Sequence, residues 1–167
     1  MTVSALRAAV VSMVMSAVVI VSCGAPGLIG EANPTGTGAT THKSLDSTGG
    51  VVEISGAILT VPVGAIAAGT TFTVTSTTAA APSEFSAFSP VYKFEPEGLV
   101  FEKPVRVELK PTVAGGRHLV VFWTKRGSAT EFEALASSVD GAIVSAEVTH
   151  FSSGFVGSLD EPQDVGA

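Results

Sequence analysis

Val105-Arg-Val-Glu-Leu109 alternates apolar and charged residues without a break. Successive side chains of a β-strand point to opposite faces, so this run buries three aliphatic residues and leaves Arg106 and Glu108 in water. The next apolar run, His118-Leu-Val-Val-Phe-Trp123, is apolar at both parities, as a central strand covered on both faces must be. Upstream, Val51-Val-Glu-Ile54, Ala57-Ile-Leu-Thr-Val61, the β-branched Thr70-Thr-Phe-Thr-Val-Thr-Ser76 and Pro90-Val-Tyr-Lys-Phe-Glu95 read as strands. Downstream, Glu131-Phe-Glu-Ala-Leu135, Ala142-Ile-Val-Ser-Ala-Glu-Val148 and Gly154-Phe-Val156 complete the set. Pro62-Val-Gly-Ala-Ile66 and Pro96-Glu-Gly98 read as turns, and Asp140-Gly141 as a hairpin turn. No stretch carries a helical period. About eight or nine short strands at this spacing predict an all-β chain folded as an antiparallel β-sandwich. All eleven aromatic residues fall between Phe72 and Phe155, which places the sandwich at residues 49–157 and leaves 158–167 as a polar acidic tail.

The chain ahead of the sandwich has a different composition. Residues 1–22 contain one basic residue, Arg7, no acidic one, and the apolar run from Ala8 to Val21. That run is short of the roughly 20 apolar residues of a membrane span and fits the apolar core of a secretion signal. It ends in Ile20-Val21-Ser22-Cys23, the pattern of a lipoprotein box. Small Ser22 lets a signal peptidase reach the bond, Ile20 and Val21 complete its recognition, and the Cys23 thiol takes the diacylglyceryl group. The competing reading is a cysteine buried in an uncleaved anchor helix. Gly24-Ala-Pro-Gly27 follows at once and would end such a helix, and Cys23 is the sole cysteine of the chain. Residues 1–22 are therefore expected to be a removed signal peptide, and 23–48 a lipidated cysteine followed by a Gly, Ser, Thr, Ala and Pro tether. A flexible coil of that length spans roughly 28 Å. These features predict a lipid-anchored protein of a bacterial cell envelope, held to the membrane through acyl chains on Cys23. Gly24, not aspartate, follows the cysteine, which favours the outer membrane in a host that has one.

With Arg7 removed, eight basic residues face fifteen acidic ones. Such a chain has no attraction for a phosphate backbone, so nucleic acid is not expected as a partner. With Cys23 acylated there is no disulfide, and the domain must stand on its core.

Motifs of catalysis are scarce. His42, His118 and His150 pair with no cysteine or carboxylate at a metal-ligand spacing, so neither a metal nor another cofactor is expected. There is no Gly-x-Ser-x-Gly elbow and no phosphate loop. Glu95 and Glu97 flank Pro96 and are read as solvated turn residues before they are read as a catalytic pair. Tyr92 and Trp123 are read as core; exposed, they would form a platform for a sugar and a glycan-binding envelope lipoprotein.

An ordered set of short segments carries a resemblance. Gly49-Gly-Val, Leu59-Thr-Val-Pro-Val-Gly-Ala65, Ser89-Pro-Val-Tyr-Lys-Phe-Glu-Pro-Glu-Gly98, Phe101-Glu-Lys-Pro-Val105 and Thr149-His-Phe-Ser-Ser-Gly-Phe155 together resemble the ZU5 domain. That domain occurs in ankyrins, netrin receptors, a death-domain protein and bacterial lipoproteins. The resemblance spans about residues 49–157 and implies a sandwich built for protein contacts, with a protein partner in the envelope and no turnover. It also implies a role for His150-Phe151-Ser152, a tripeptide that in some members cleaves itself between Phe and Ser. His150 and Ser152 share a face in an extended chain, so the Ser152 hydroxyl could attack the Phe151 carbonyl while His150 takes its proton; the Phe151–Ser152 peptide bond would break to leave an ester that water hydrolyses. Strain at that peptide is the further requirement. The other reading makes the tripeptide structural, with His150 and Ser152 packed at a strand end on the face of Val144, Ala146 and Val148, and Phe151 and Phe155 covering the opposite side.

Overall fold

The computed structural model describes residues 33–113 and 118–159. Cys23 and the recognition residues Ile20, Val21 and Ser22 lie outside them, as does the tail from Asp160.

The described residues form an all-β fold of two antiparallel sheets with no helix. Eleven strands follow one another as β1 (Thr40–Leu45), β2 (Gly50–Ile54), β3 (Ala57–Val61), β4 (Thr70–Ser76), β5 (Tyr92–Glu95), β6 (Val100–Leu109), β7 (Leu119–Thr124), β8 (Phe132–Ala134), β9 (Ser137–Asp140), β10 (Ile143–His150) and β11 (Ser153–Ser158). One sheet has the order β1-β4-β5-β11-β7-β8, the other β2-β3-β6-β10-β9. The chain changes sheet six times, between β1 and β2, β3 and β4, β5 and β6, β6 and β7, β8 and β9, and β10 and β11.

The alternation in β6 does what it predicts. Val105, Val107 and Leu109 are fully buried, while Arg106 and Glu108 pair with each other on the outer face at 3.1 Å. Leu59 of β3, Val144 and Val148 of β10, and Phe72 and Val74 of β4 close the same core from both sheets. β7 is apolar at both parities because two cores meet on it. Val121 and Trp123 face the space between the sheets. Phe122 instead joins Phe155, Ala81, Ala87 and Val91 in a second cluster, which Phe85 and Phe132 complete. Phe85 meets Phe122, Phe132 and Phe155 with ring centroids 4.9–5.7 Å apart.

The segment 77–91 is the lid of that second cluster, and it is tied down by hydrogen bonds. Phe88 N–H donates to Val156 O at 2.7 Å, Ser158 N–H to Ser86 O at 3.1 Å, and Val156 N–H to Ser89 Oγ at 2.8 Å. Asn33 fastens the lid from outside. Its Nδ2 donates to the carbonyls of Ala81, Pro82 and Phe85 at 2.9–3.2 Å, and its Oδ1 accepts from Ala87 N–H at 3.1 Å.

Two strands were not expected. Thr40–Leu45, assigned by composition to the tether, is the edge strand β1, so the fold begins before residue 49. Its side chains are polar because an edge strand has little to bury. Thr40, His42 and Ser44 instead bond across to Thr75, Thr73 and Thr71 of β4 at 2.8–3.0 Å. Lys43 reaches over to the other sheet, where its Nζ donates to Val51 O of the edge strand β2 at 2.7 Å. An edge carbonyl closed by a lysine is a poor template for pairing with another chain. β9 escaped notice for the same reason, being a polar edge strand of serines and Asp140. The Asp140-Gly141 turn does close a hairpin, but it joins β9 to β10, with Gly141 at φ 56°. At the β1–β2 corner, bonds from the Thr48 hydroxyl and backbone N–H hold the Asp46 carboxyl below its usual range.

Because Asn33 makes four bonds to the lid, Asn33→Ala is expected to lower stability by about 1–2 kcal/mol. The midpoint of urea unfolding should drop, and amide exchange at Ala87 should accelerate ahead of exchange in β6.

Candidate functional site

His150, Phe151 and Ser152 lie where the chain leaves one sheet for the other. His150 closes β10 in the five-stranded sheet, and Ser153 opens β11 in the six-stranded one. The register against β6 slips here, from Val148 opposite Val105 to His150 opposite Val100. That irregularity turns the backbone out of one sheet and into the other. The three residues are buried, at 7%, 0% and 4% exposure.

Three backbone bonds hold the crossing. Phe151 N–H donates to Leu99 O at 2.8 Å, Gly98 N–H donates to Phe151 O at 3.0 Å, and Phe94 N–H donates to Ser152 O at 2.9 Å. Gly98 serves this contact at φ 76°, a conformation that side chains rarely adopt. Two reciprocal bonds then clasp His150 to the end of β7. Trp123 Nε1–H donates to His150 O at 3.2 Å, and His150 Nε2 meets Thr124 O at 3.1 Å. A carbonyl oxygen only accepts, so Nε2 carries the proton and the lone pair of the neutral ring sits on Nδ1. Thr124 Oγ1–H completes the clasp on Ser153 O at 3.0 Å.

Side-chain packing holds the same point. The Phe151 ring lies edge-on to Phe72 and Phe101, with centroids 4.8 and 4.9 Å away. Each such contact contributes about 0.5–1.5 kcal/mol beyond its buried area. Phe151 thus points into the core between the sheets together with Val144, Ala146 and Val148. Phe155 lies in the second cluster, so the two rings do not cover a common side as expected. Gly154 pairs with Trp123 across β7, and a Cβ there would collide with the indole ring.

Outside the crossing lies a surface cavity of about 270 Å³. Its floor is the tripeptide; its walls are the turn at Glu97 and Gly98 and the 125–129 loop with Lys125 and Arg126. Sequence reasoning did not find this loop as part of a site. Only the tertiary fold sets the β7–β8 loop beside a turn some thirty residues earlier and a tripeptide some twenty later.

No protein-family model matches this chain. No curated protein is found similar to it either. The site is therefore read from its own chemistry.

The remaining residues singled out in the sequence do not gather there. Tyr92 and Trp123 are each 1% exposed, so neither ring is available to stack on a sugar. The Tyr92 hydroxyl donates to Ser55 O at 3.2 Å, and burial pushes the phenol above its ordinary range. Glu95 is paired with Lys93 at 3.0 Å, and Glu97 is exposed. His42 belongs to the β1–β4 ladder, and His118 begins β7's approach at φ 53°. Among the described residues no group of three His, Cys, Asp or Glu side chains is placed to hold a metal ion. His118 is also the one non-glycine residue described with a left-handed φ, so the tripeptide has no strain of that kind.

Trp123→Phe keeps the ring and removes the N–H, leaving the His150 carbonyl buried without this donor. The expected loss is about 1–3 kcal/mol. It should appear as a lower urea midpoint with an unchanged denaturant slope.

Proposed function

We propose that this chain is a cell-envelope lipoprotein, acylated on Cys23, that displays a non-catalytic protein-interaction module of ZU5 type. The observation that carries the non-catalytic reading is the clasp at the sheet crossing. The carbonyls of His150, Phe151 and Ser152, the Phe151 N–H and the Nε2–H of His150 are all hydrogen-bonded, and the ring of Phe151 is the centre of the aromatic core. The sequence from Ile20 to Cys23 supports the anchor, and the acidic balance of the chain supports a protein partner over nucleic acid. The partner is a protein of the same envelope.

Self-processing between Phe151 and Ser152 is the second reading, and one contact favours it. Gly98 N–H already donates to the Phe151 carbonyl, the oxygen that would gain charge if the Ser152 hydroxyl attacked. The Nδ1 lone pair of His150 would then be the base. Against it stand the ties on both sides of the bond, which hold Phe151 and Ser152 in the sheets, and a backbone without left-handed strain.

Two measurements test the proposal, and the second separates the two readings. Labelled fatty acid fed to expressing cells should appear on the wild-type chain and vanish in Cys23→Ser; label retained by that variant would refute the anchor. Intact mass after days at neutral pH should show one uncut species. A split after Phe151 that disappears in Ser152→Ala would instead establish self-processing.

A further inference from the structure

We propose that the free edge of β9 pairs with the same edge of a second copy of this chain, joining two five-stranded sheets into one. β9 ends its sheet, and its outer side has no neighbouring strand among the described residues. The tight turn at Gly141-Ala142 makes Asp140 and Ile143 a hydrogen-bonded pair, and such pairs alternate with non-bonded ones along an antiparallel ladder. Ser138 and Asp140 therefore bond to β10, and the peptide groups of Ser137 and Val139 face away from it. Val139 is also 53% exposed, while its cross-strand neighbour Val144 is fully buried.

The other three edges are closed or charged. Lys43 ties β1 to the edge carbonyl of Val51 in β2. β8 has only three residues, with Glu133 at its centre and Glu131 just ahead of it. β9 reads Ser-Ser-Val before its single charge at the turn, with no lysine, no proline and an unbroken register against β10. Those are the devices by which an edge is kept from pairing, and β9 lacks them.

The edge is also complementary to itself. A two-fold axis at Ser138 sets Ser137 of each copy opposite Val139 of the other, so all the outward-facing peptide groups of the strand exchange bonds. Ser138 then meets its own copy as the close, non-bonded pair, with about 4.5 Å between Cα atoms. Asp140 falls opposite Ala136, and the two Asp140 residues stand four positions apart, about 14 Å, beyond the screening length at physiological salt. An axis at Val139 would draw Gly141 out of its turn. An axis at Ser137 would need Leu135, whose N–H is held by Val121 O in the other sheet. Four residues a side fall short of the roughly 20–30 of a stable interface, so the pairing is transient.

The test is disulfide capture on the full chain carrying Cys23→Ser, so that an introduced cysteine is the only thiol. Ser138 and Asp140 are both exposed. Under a mild oxidant Ser138→Cys should give a dimer on a non-reducing gel at least about tenfold faster than Asp140→Cys, whose separation is out of reach of a bridge. Val139→Pro removes only the outward N–H, a change tolerated at a sheet edge, and should abolish capture of Ser138→Cys. Unchanged amide protection in β6 shows that this variant is folded, and the Asp140→Cys comparison decides the case if it is not. The proposal is overturned if Ser138→Cys stays monomeric, if Asp140→Cys is captured equally fast, or if folded Val139→Pro leaves capture unchanged. A monomeric Ser138→Cys chain whose Val139 N–H is shielded from exchange by the peptide acetyl-Lys-Val-Lys-Val-amide would give the edge to a foreign basic strand, and also overturns it. The readout does not involve acylation or cleavage, so its failure leaves the proposed function standing.

Discussion

The pair of hydrogen bonds between the end of β7 and His150 is the constraint on which the rest of the sandwich depends. Two sheets stacked face to face gain most of their stability from the apolar layer between them, and that layer has no direction of its own. What fixes the sheets relative to each other is the connections between them, and the one from β10 to β11 runs through buried residues. Here the indole N–H takes the His150 carbonyl, the imidazole N–H takes the Thr124 carbonyl, and the Thr124 hydroxyl takes the Ser153 carbonyl. A crossing inside the core leaves peptide groups without their sheet partners, and these bonds replace them. Phe151 can then sit at 0% exposure between Phe72 and Phe101 without leaving a polar atom stranded beside it.

The same logic explains why the six-stranded sheet has cores on both faces and the five-stranded sheet has one. The outer face of the latter carries Glu53, Arg106, Glu108 and Glu147, which need no cover. The outer face at β7 and β11 carries Phe122 and Phe155, which do. The segment 77–91 supplies the cover, with Ala and Phe side chains inward and its backbone bonded to β11 where β5 has already ended. It is irregular chain serving as a third layer.

The fold was legible wherever strands are amphipathic or wholly apolar. In β6, β7 and β10 the sequence pattern and the burial pattern coincide because side-chain alternation is a local property. β1 and β9 were illegible for an equally physical reason: edge strands bury little, and their Thr and Ser residues look like linker. Of the site, the tripeptide could be singled out from the chain, and its neighbourhood could not. Nothing local connects His150 to Thr124, or Phe151 to Gly98; those contacts exist only after the sheets are stacked. The separation of Phe151 from Phe155 was likewise hidden, since the crossing between them interrupts the alternation by which faces are counted.

Asn33 has a mechanical meaning. If the chain is held at Cys23, Asn33 is the first described residue on the path of the load, ten positions on, which is roughly 35 Å at full extension. It falls first on four short bonds to the 77–91 segment, and only then on β1. β1 runs antiparallel to β4 and would be peeled from its N-terminal end, one ladder bond at a time, which resists force less than shearing the whole strand. The asparagine acts as a strain relief. In a chain so anchored it would keep the tug of a moving bilayer away from the edge of the sheet, and with it from the Lys43 contact that closes β2.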